Sequence, residues 1–182
     1  MRKSIFTLAP VVAVLLASTG VAHAASNAQM TITANVVEST CDISLSNANL
    51  DLGNYAKSAI TEVATPVAES IKTFTVGLSN CGAPLAEGDT ASLVVTGQTL
   101  GGNPNIFNST GTNTGIMLSQ VATPTSYITT GQKISVATAG ATPSAGDFNA
   151  KSLSMQAGLA STSLTPDNGL ISAPILFSFA YN

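Results

Sequence analysis

Apolar and polar residues alternate one by one along much of this chain, and the 3.6-residue stripes that would bury one side of a helix are missing. Met30, Ile32, Ala34 and Val36 are separated by Thr31, Thr33 and Asn35. Cys41, Ile43 and Leu45 continue the habit, as do Phe74, Val76 and Leu78 between Thr73, Thr75, Gly77 and Ser79. A period of two sends successive side chains to opposite faces of an extended strand, so each run offers a core one apolar face. Further candidate strands span residues 91–95, 115–118, 134–136 and 148–155, with turn-rich stretches such as 97–114 and 137–146 between them. Short alternating strands separated by frequent turn signals predict an all-β, antiparallel β-sandwich. Residues 58–70 read equally as one short helical turn or as a loop. Gly101-Gly102-Asn103-Pro104-Asn105 reads as a surface loop. Asn108-Ser109-Thr110 matches a glycosylation sequon and reads as a polar loop.

The first 24 residues carry an export signal. Arg2 and Lys3 form a basic start, Val11 to Ala17 a short apolar core, and Ala22-His23-Ala24 the small-x-small pattern of a cleavage site. A membrane anchor needs about 20 consecutive apolar residues, and Pro10, Ser18 and Thr19 interrupt this run. Cleavage after Ala24 would leave 158 of the 182 residues, enough for one domain with a real core. In that mature chain four lysines (Lys57, Lys72, Lys133, Lys151) face nine carboxylates, a formal charge of −5 that repels nucleic acid and anionic lipid. The single histidine, His23, leaves with the signal, taking away the commonest group for metal ligation and proton transfer. Two cysteines remain, Cys41 and Cys81. In an exported chain an isolated pair is most simply a disulfide, whereas in the cytosol the same pair would be free thiols.

The C-terminal segment is the most informative. Ile171, Ala173, Ile175, Phe177, Phe179 and Tyr181 share one face, and most of the residues between them are small or polar. Such a strand must bury its apolar face, and an ordinary final core strand would satisfy that demand. The aromatic Tyr181 is penultimate, Phe179, Phe177 and Ile175 alternate before it, and Gly169 is fourteenth from the end. In these respects the chain resembles the subunits of chaperone-usher fimbriae, of the type 1-like pilin kind. The resemblance extends to the Cys41–Cys81 spacing, to Phe74-x-Val76-x-Leu78-x-x-Cys81 and to Phe148-x-Ala150, with Leu153 where the family usually has tyrosine.

That resemblance implies an incomplete immunoglobulin-like sandwich lacking its last strand and completed by donor-strand exchange. It implies three segments: a signal peptide (1–24), a donor-strand extension (25–40) and a pilin domain (41–182). Met30, Ile32, Ala34 and Val36 would be the donor side chains, with Ala34 where the family commonly has glycine. Gly169, Ile175, Phe177, Phe179 and Tyr181 would belong to the strand that lines the groove and pairs with the chaperone. Pro174 has no N–H to give a ladder, so an edge position or a local break is expected there. The implied partners are a periplasmic chaperone, an outer-membrane usher and neighbouring subunits, with a host or surface receptor as a further candidate. The implied place is the cell surface, reached through the periplasm, and the implied role is a structural subunit supporting adhesion and biofilm formation. A minor tip or adaptor subunit, or a small adhesin, is the alternative. A tip adhesin usually carries a second domain, for which 158 residues leave no space. Enzymatic motifs such as G-x-S-x-G or S-x-x-K do not occur, no cofactor motif is present, and Glu87 with Asp89 reads as a solvated turn.

Overall fold

The computed structural model describes residues 40–181. The expected signal and the donor residues Met30, Ile32, Ala34 and Val36 lie outside the described residues. Within them, ten strands follow in order: β1 (Asp42–Leu45), β2 (Lys72–Ser79), β3 (Thr90–Gly97), β4 (Thr99–Leu100), β5 (Asn103–Phe107), β6 (Thr114–Gln120), β7 (Thr123–Tyr127), β8 (Gln132–Thr138), β9 (Ser152–Ser161) and β10 (Ile175–Tyr181). They form two antiparallel sheets. The larger is ordered β1-β2-β9-β6-β5-β4 with β7 also paired to β6, and the smaller is ordered β10-β3-β8.

The alternation read from the sequence explains how the sheets meet. Phe74, Val76 and Leu78 of β2 are buried, while Thr73, Thr75 and Gly77 turn the other way. From the opposite sheet Ala91, Leu93 and Val95 of β3 and Ile134 of β8 reach the same core. Val76, Leu93, Val95, Phe107, Phe148 and Met155 have no exposed surface, and each fully buried aliphatic contributes roughly 1.5–3 kcal/mol relative to an exposed one.

The region 58–70 resolves into two single-turn 3-10 helices, Lys57–Ala59 and Ala68–Ser70. Its position follows from a length mismatch between strands. The β2–β9 ladder ends at the Lys72–Ala157 pair, but β9 runs on to Ser161. The incoming segment supplies the missing partners: Ala64 N donates to Ser161 O at 2.8 Å and Val67 N to Leu159 O at 2.8 Å. Ser70 Oγ accepts from Leu159 N at 2.8 Å. Every backbone group that β9 would otherwise bury unpaired is a cost avoided.

Two expectations need correction. The strand anticipated over 148–155 begins at Ser152. Phe148 instead closes the short helix Ala145–Asp147, and Ala150 takes φ +60°, which no strand allows. Asn149 is diverted to the disulfide loop, where its side chain accepts from Cys81 N at 2.8 Å. Next, Asn103, Pro104 and Asn105 are not loop but part of β5. Only Gly101 and Gly102 make the turn, with Gly102 at φ +78°, a left-handed value that glycine adopts without strain. The Asn108-Ser109-Thr110 segment is the polar loop expected, with Ser109 and Thr110 exposed and Asn108 buried at its base. The Asn108 amide oxygen accepts from Thr110 N, Thr110 Oγ1 and Gly111 N, and its amide nitrogen donates to Thr112 Oγ1 and Thr114 O.

Cys41 and Cys81 are bonded across a separation of 40 residues, tying the start of β1 to the end of β2. Closing a loop of 40 residues restricts the unfolded chain by about 4 kcal/mol in the chain-entropy model. Urea titration with and without a thiol reductant should therefore show a loss of about 4 kcal/mol on reduction. A midpoint that does not move would refute this role for the bond.

Candidate functional site

β10 has one ladder partner among the described residues. Its register against β3 pairs Ile175 with Gly97, Phe177 with Val95, Phe179 with Leu93 and Tyr181 with Ala91. The side chains of Ile175, Phe177, Phe179 and Tyr181 therefore enter the same side of the sheet as Leu93 and Val95. They pack on the core yet are only half-buried, whereas Leu93 and Val95 are wholly buried. Phe177 meets Phe74 of the facing sheet edge-on at 6.0 Å between ring centres. On the outer flank of this strand an open cleft of about 1420 Å³ begins.

One wall of the cleft is β10 itself, through Ile175, Leu176 and Phe177, and its floor is the inner face of the large sheet, through Phe74, Ile116, Leu118 and Ala157. Leu45 at the end of β1 and the 47–57 loop form the opposite wall. That loop is held by side chain to backbone bonds: Tyr55 Oη donates to Leu52 O at 2.8 Å and Glu69 O at 3.0 Å, and Lys72 Nζ donates to Asp51 O at 2.8 Å. The 166–174 segment lines the remaining end. It is strapped to the β5–β6 turn, with Asp167 N donating to Asn113 Oδ1 at 2.8 Å, and Ser109 N and Oγ donating to Ser172 O at 2.8 and 2.9 Å.

Of the C-terminal residues singled out from sequence, Gly169, Ile175 and Phe177 line the cleft, while Phe179 and Tyr181 continue along β10 beyond it. Gly169 lies on the strap, not in the strand, at φ +149°. Pro174 stands just outside the ladder, and β10 starts at the next residue, the local break expected of an imino acid. Sequence reading missed the 47–57 loop. The signal was present in Leu50, Leu52 and Tyr55, but this alternation belongs to no strand and so had no face to be assigned to.

Beyond the cleft, the tip of β10 is fastened. The Tyr181 ring packs edge-on against Phe148, with centroids 6.3 Å apart. Its hydroxyl donates to Asp89 Oδ2 and accepts from Leu85 N at 3.1 Å. Asp89 Oδ2 also accepts from Leu85 N at 2.9 Å and Ala86 N at 2.7 Å. The turn expected around Glu87 and Asp89 is present, but Asp89 is committed to these donors. The Tyr181 hydroxyl first, then the Ala86 amide, hold its carboxyl below the ordinary value of 3.8 against the opposing effect of desolvation, with the Leu85 amide adding to the lowering. No set of three or more His, Cys, Asp or Glu residues suited to a metal ion comes together among the described residues.

Two antiparallel sheets, with a disulfide joining the first two strands of the larger one and an edge strand beside an open cleft, make a β-sandwich. Residues 27–182 match the model of the fimbrial protein family, so the chain belongs to that family, a structural one whose members build surface fibres. The chaperone-usher fimbrial resemblance seen at the C-terminus agrees with this membership. Among solved structures, the chain is similar to the P pilus rod subunit PapA at 22% identity and TM-score 0.53, covering 85% of this chain and 99% of that one. A structure concerned with chaperone-usher pilus rod uncoiling matches at 17% identity and TM-score 0.49, over 87% of this chain and 97% of that one. No curated protein matches the chain.

A carboxyl with a lowered folded pKa stabilises the fold above its unfolded pKa, and that contribution is lost as pH falls through the folded value. The stability difference between the native chain and Asp89→Asn should therefore be constant above about pH 5 and shrink below the ordinary value of 3.8. Urea midpoints measured across that range check the sign. A difference that grows on acidification would contradict it.

Proposed function

We propose that this chain is a polymerising subunit of a chaperone-usher fimbria, and that each copy completes its neighbour by donating an N-terminal strand. The reading rests chiefly on one observation. Ile175, Phe177 and Phe179 lie half-buried on an edge strand beside a cleft of about 1420 Å³. An apolar face with an unfilled flank, next to a strand edge without a ladder partner among the described residues, favours uptake of an extended segment. Main-chain hydrogen bonds then supply affinity and alternate side chains supply register.

The occupant that fits is residues 25–40 of another copy. Met30, Ile32, Ala34 and Val36 alternate with polar residues, so all four present one face to the cleft. About 1.5–3 kcal/mol for each large aliphatic, together with a ladder along β10, would make dissociation very slow. During export the same edge would be held by a periplasmic chaperone strand, which the next subunit's extension replaces at an outer-membrane usher. Adhesion and biofilm formation follow from the fibre, and a host or surface receptor would be engaged by the assembled structure.

The decisive substitution is Ile32→Asp, which puts a charge where an apolar side chain must be buried. It should abolish fibres while the chaperone complex still forms, because that complex uses β10 and not the extension. Electron microscopy of sheared cells and co-purification of the periplasmic complex read the two outcomes. Normal fibres from the variant would overturn the donor assignment.

A further inference from the structure

We propose that Asp89 is a positioning residue for strand uptake, acting through Tyr181 to hold the end of β10 in the geometry that an incoming strand needs. This rests on the donor-strand reading above. β10 is a seven-residue edge strand whose ladder, among the described residues, is with β3 alone. The end of a strand opens locally more readily than its middle, because fewer neighbouring ladder bonds hold it. Any opening of that end would withdraw the backbone edge that continues from the cleft-lining residues Ile175 to Phe177. Affinity for an extended partner would then include the cost of ordering the strand at the moment of binding.

The 85–89 turn opposes that opening. One carboxylate oxygen gathers Leu85 N, Ala86 N and the Tyr181 hydroxyl, while the hydroxyl also receives Leu85 N. The turn is itself fixed to the body of the small sheet, since Ala139 N donates to Asp89 O at 2.8 Å and Gly88 N to Ala139 O at 3.1 Å. Below the latch, the Tyr181 ring rests on the wholly buried Phe148. Charge-assisted bonds are roughly twice as strong as neutral ones, and that strength is spent here on the tip of the strand that borders the cleft.

The test uses the secreted chain and a fluorescent peptide copying residues 25–39. Asp89→Asn and Tyr181→Phe should each weaken peptide uptake about ten-fold, the loss of one charge-assisted bond. Because both act through the same contact, the double variant should lose no more than either alone, and Asp89→Glu should recover part of the affinity. Losses that multiply, or single variants that bind like the native chain, would overturn the proposal. Tyr181→Phe keeps the ring on Phe148, so it remains informative should Asp89→Asn fold poorly. Hydrogen exchange without peptide gives a second reading: β10 amides should exchange about ten-fold faster in both variants, with core β2 amides unchanged. Equal exchange in native and variant chains would also sink the latch. Failure of the native chain to bind the peptide would instead remove the donor-strand reading, and the exchange result would still judge the latch.

Discussion

The apolar side of β10 has to be kept from water, and the fold only half achieves this. β3 supplies a ladder on one flank, and Phe74 and the inner face of the large sheet supply a floor, so Ile175, Phe177 and Phe179 are anchored but not enclosed. The rest of the described structure is arranged around that shortfall. The disulfide fixes β1 where Leu45 forms the far lip of the cleft, the 166–174 strap blocks one end, and the latch on Tyr181 secures the strand's tip. Elsewhere the sandwich is well packed, with Val76, Leu93, Val95 and Met155 fully buried, so among the described residues the half-covered apolar face is that of β10.

Rigidity around the cleft comes from polar contacts more than from packing. Tyr55, Lys72, Asn113 and Ser109 each bond backbone of a segment that has no regular structure of its own. Loops that carried exposed apolar residues without such ties would close over the cleft, because collapse would bury surface at little entropic cost. Holding the walls apart keeps the cleft open, as the proposed uptake of an extended chain requires. The low charge and small side chains of the sequence suit this use, since Ser, Thr and Asn bond backbone over short distances without the desolvation cost of ions.

Much of the fold was legible because alternation is a local signal. Phe74-x-Val76-x-Leu78 fixes both strand and buried face, and β3 and β8 follow from the same rule. The rule fails where burial is two-sided or absent. β9 ends in Gln156-Ala157-Gly158-Leu159-Ala160-Ser161, a run covered on both faces that carries no alternation, and β7 (Thr-Pro-Thr-Ser-Tyr) is exposed almost throughout. Phe148 and Ala150 alternate like a strand yet form a turn, because Asn149 bonds the Cys81 backbone, a contact 68 residues away.

Sequence alone therefore determined the sandwich class, the cysteine pair and the apolar face of the last strand, since each depends on residue type and spacing within a few positions. Only the tertiary structure decided that this face borders an open cleft, that the 47–57 loop and the 166–174 strap are its walls, and that Asp89 reaches Tyr181. Those facts depend on where segments far apart in the chain are brought together, and no local pattern of side chains encodes a distance across a core.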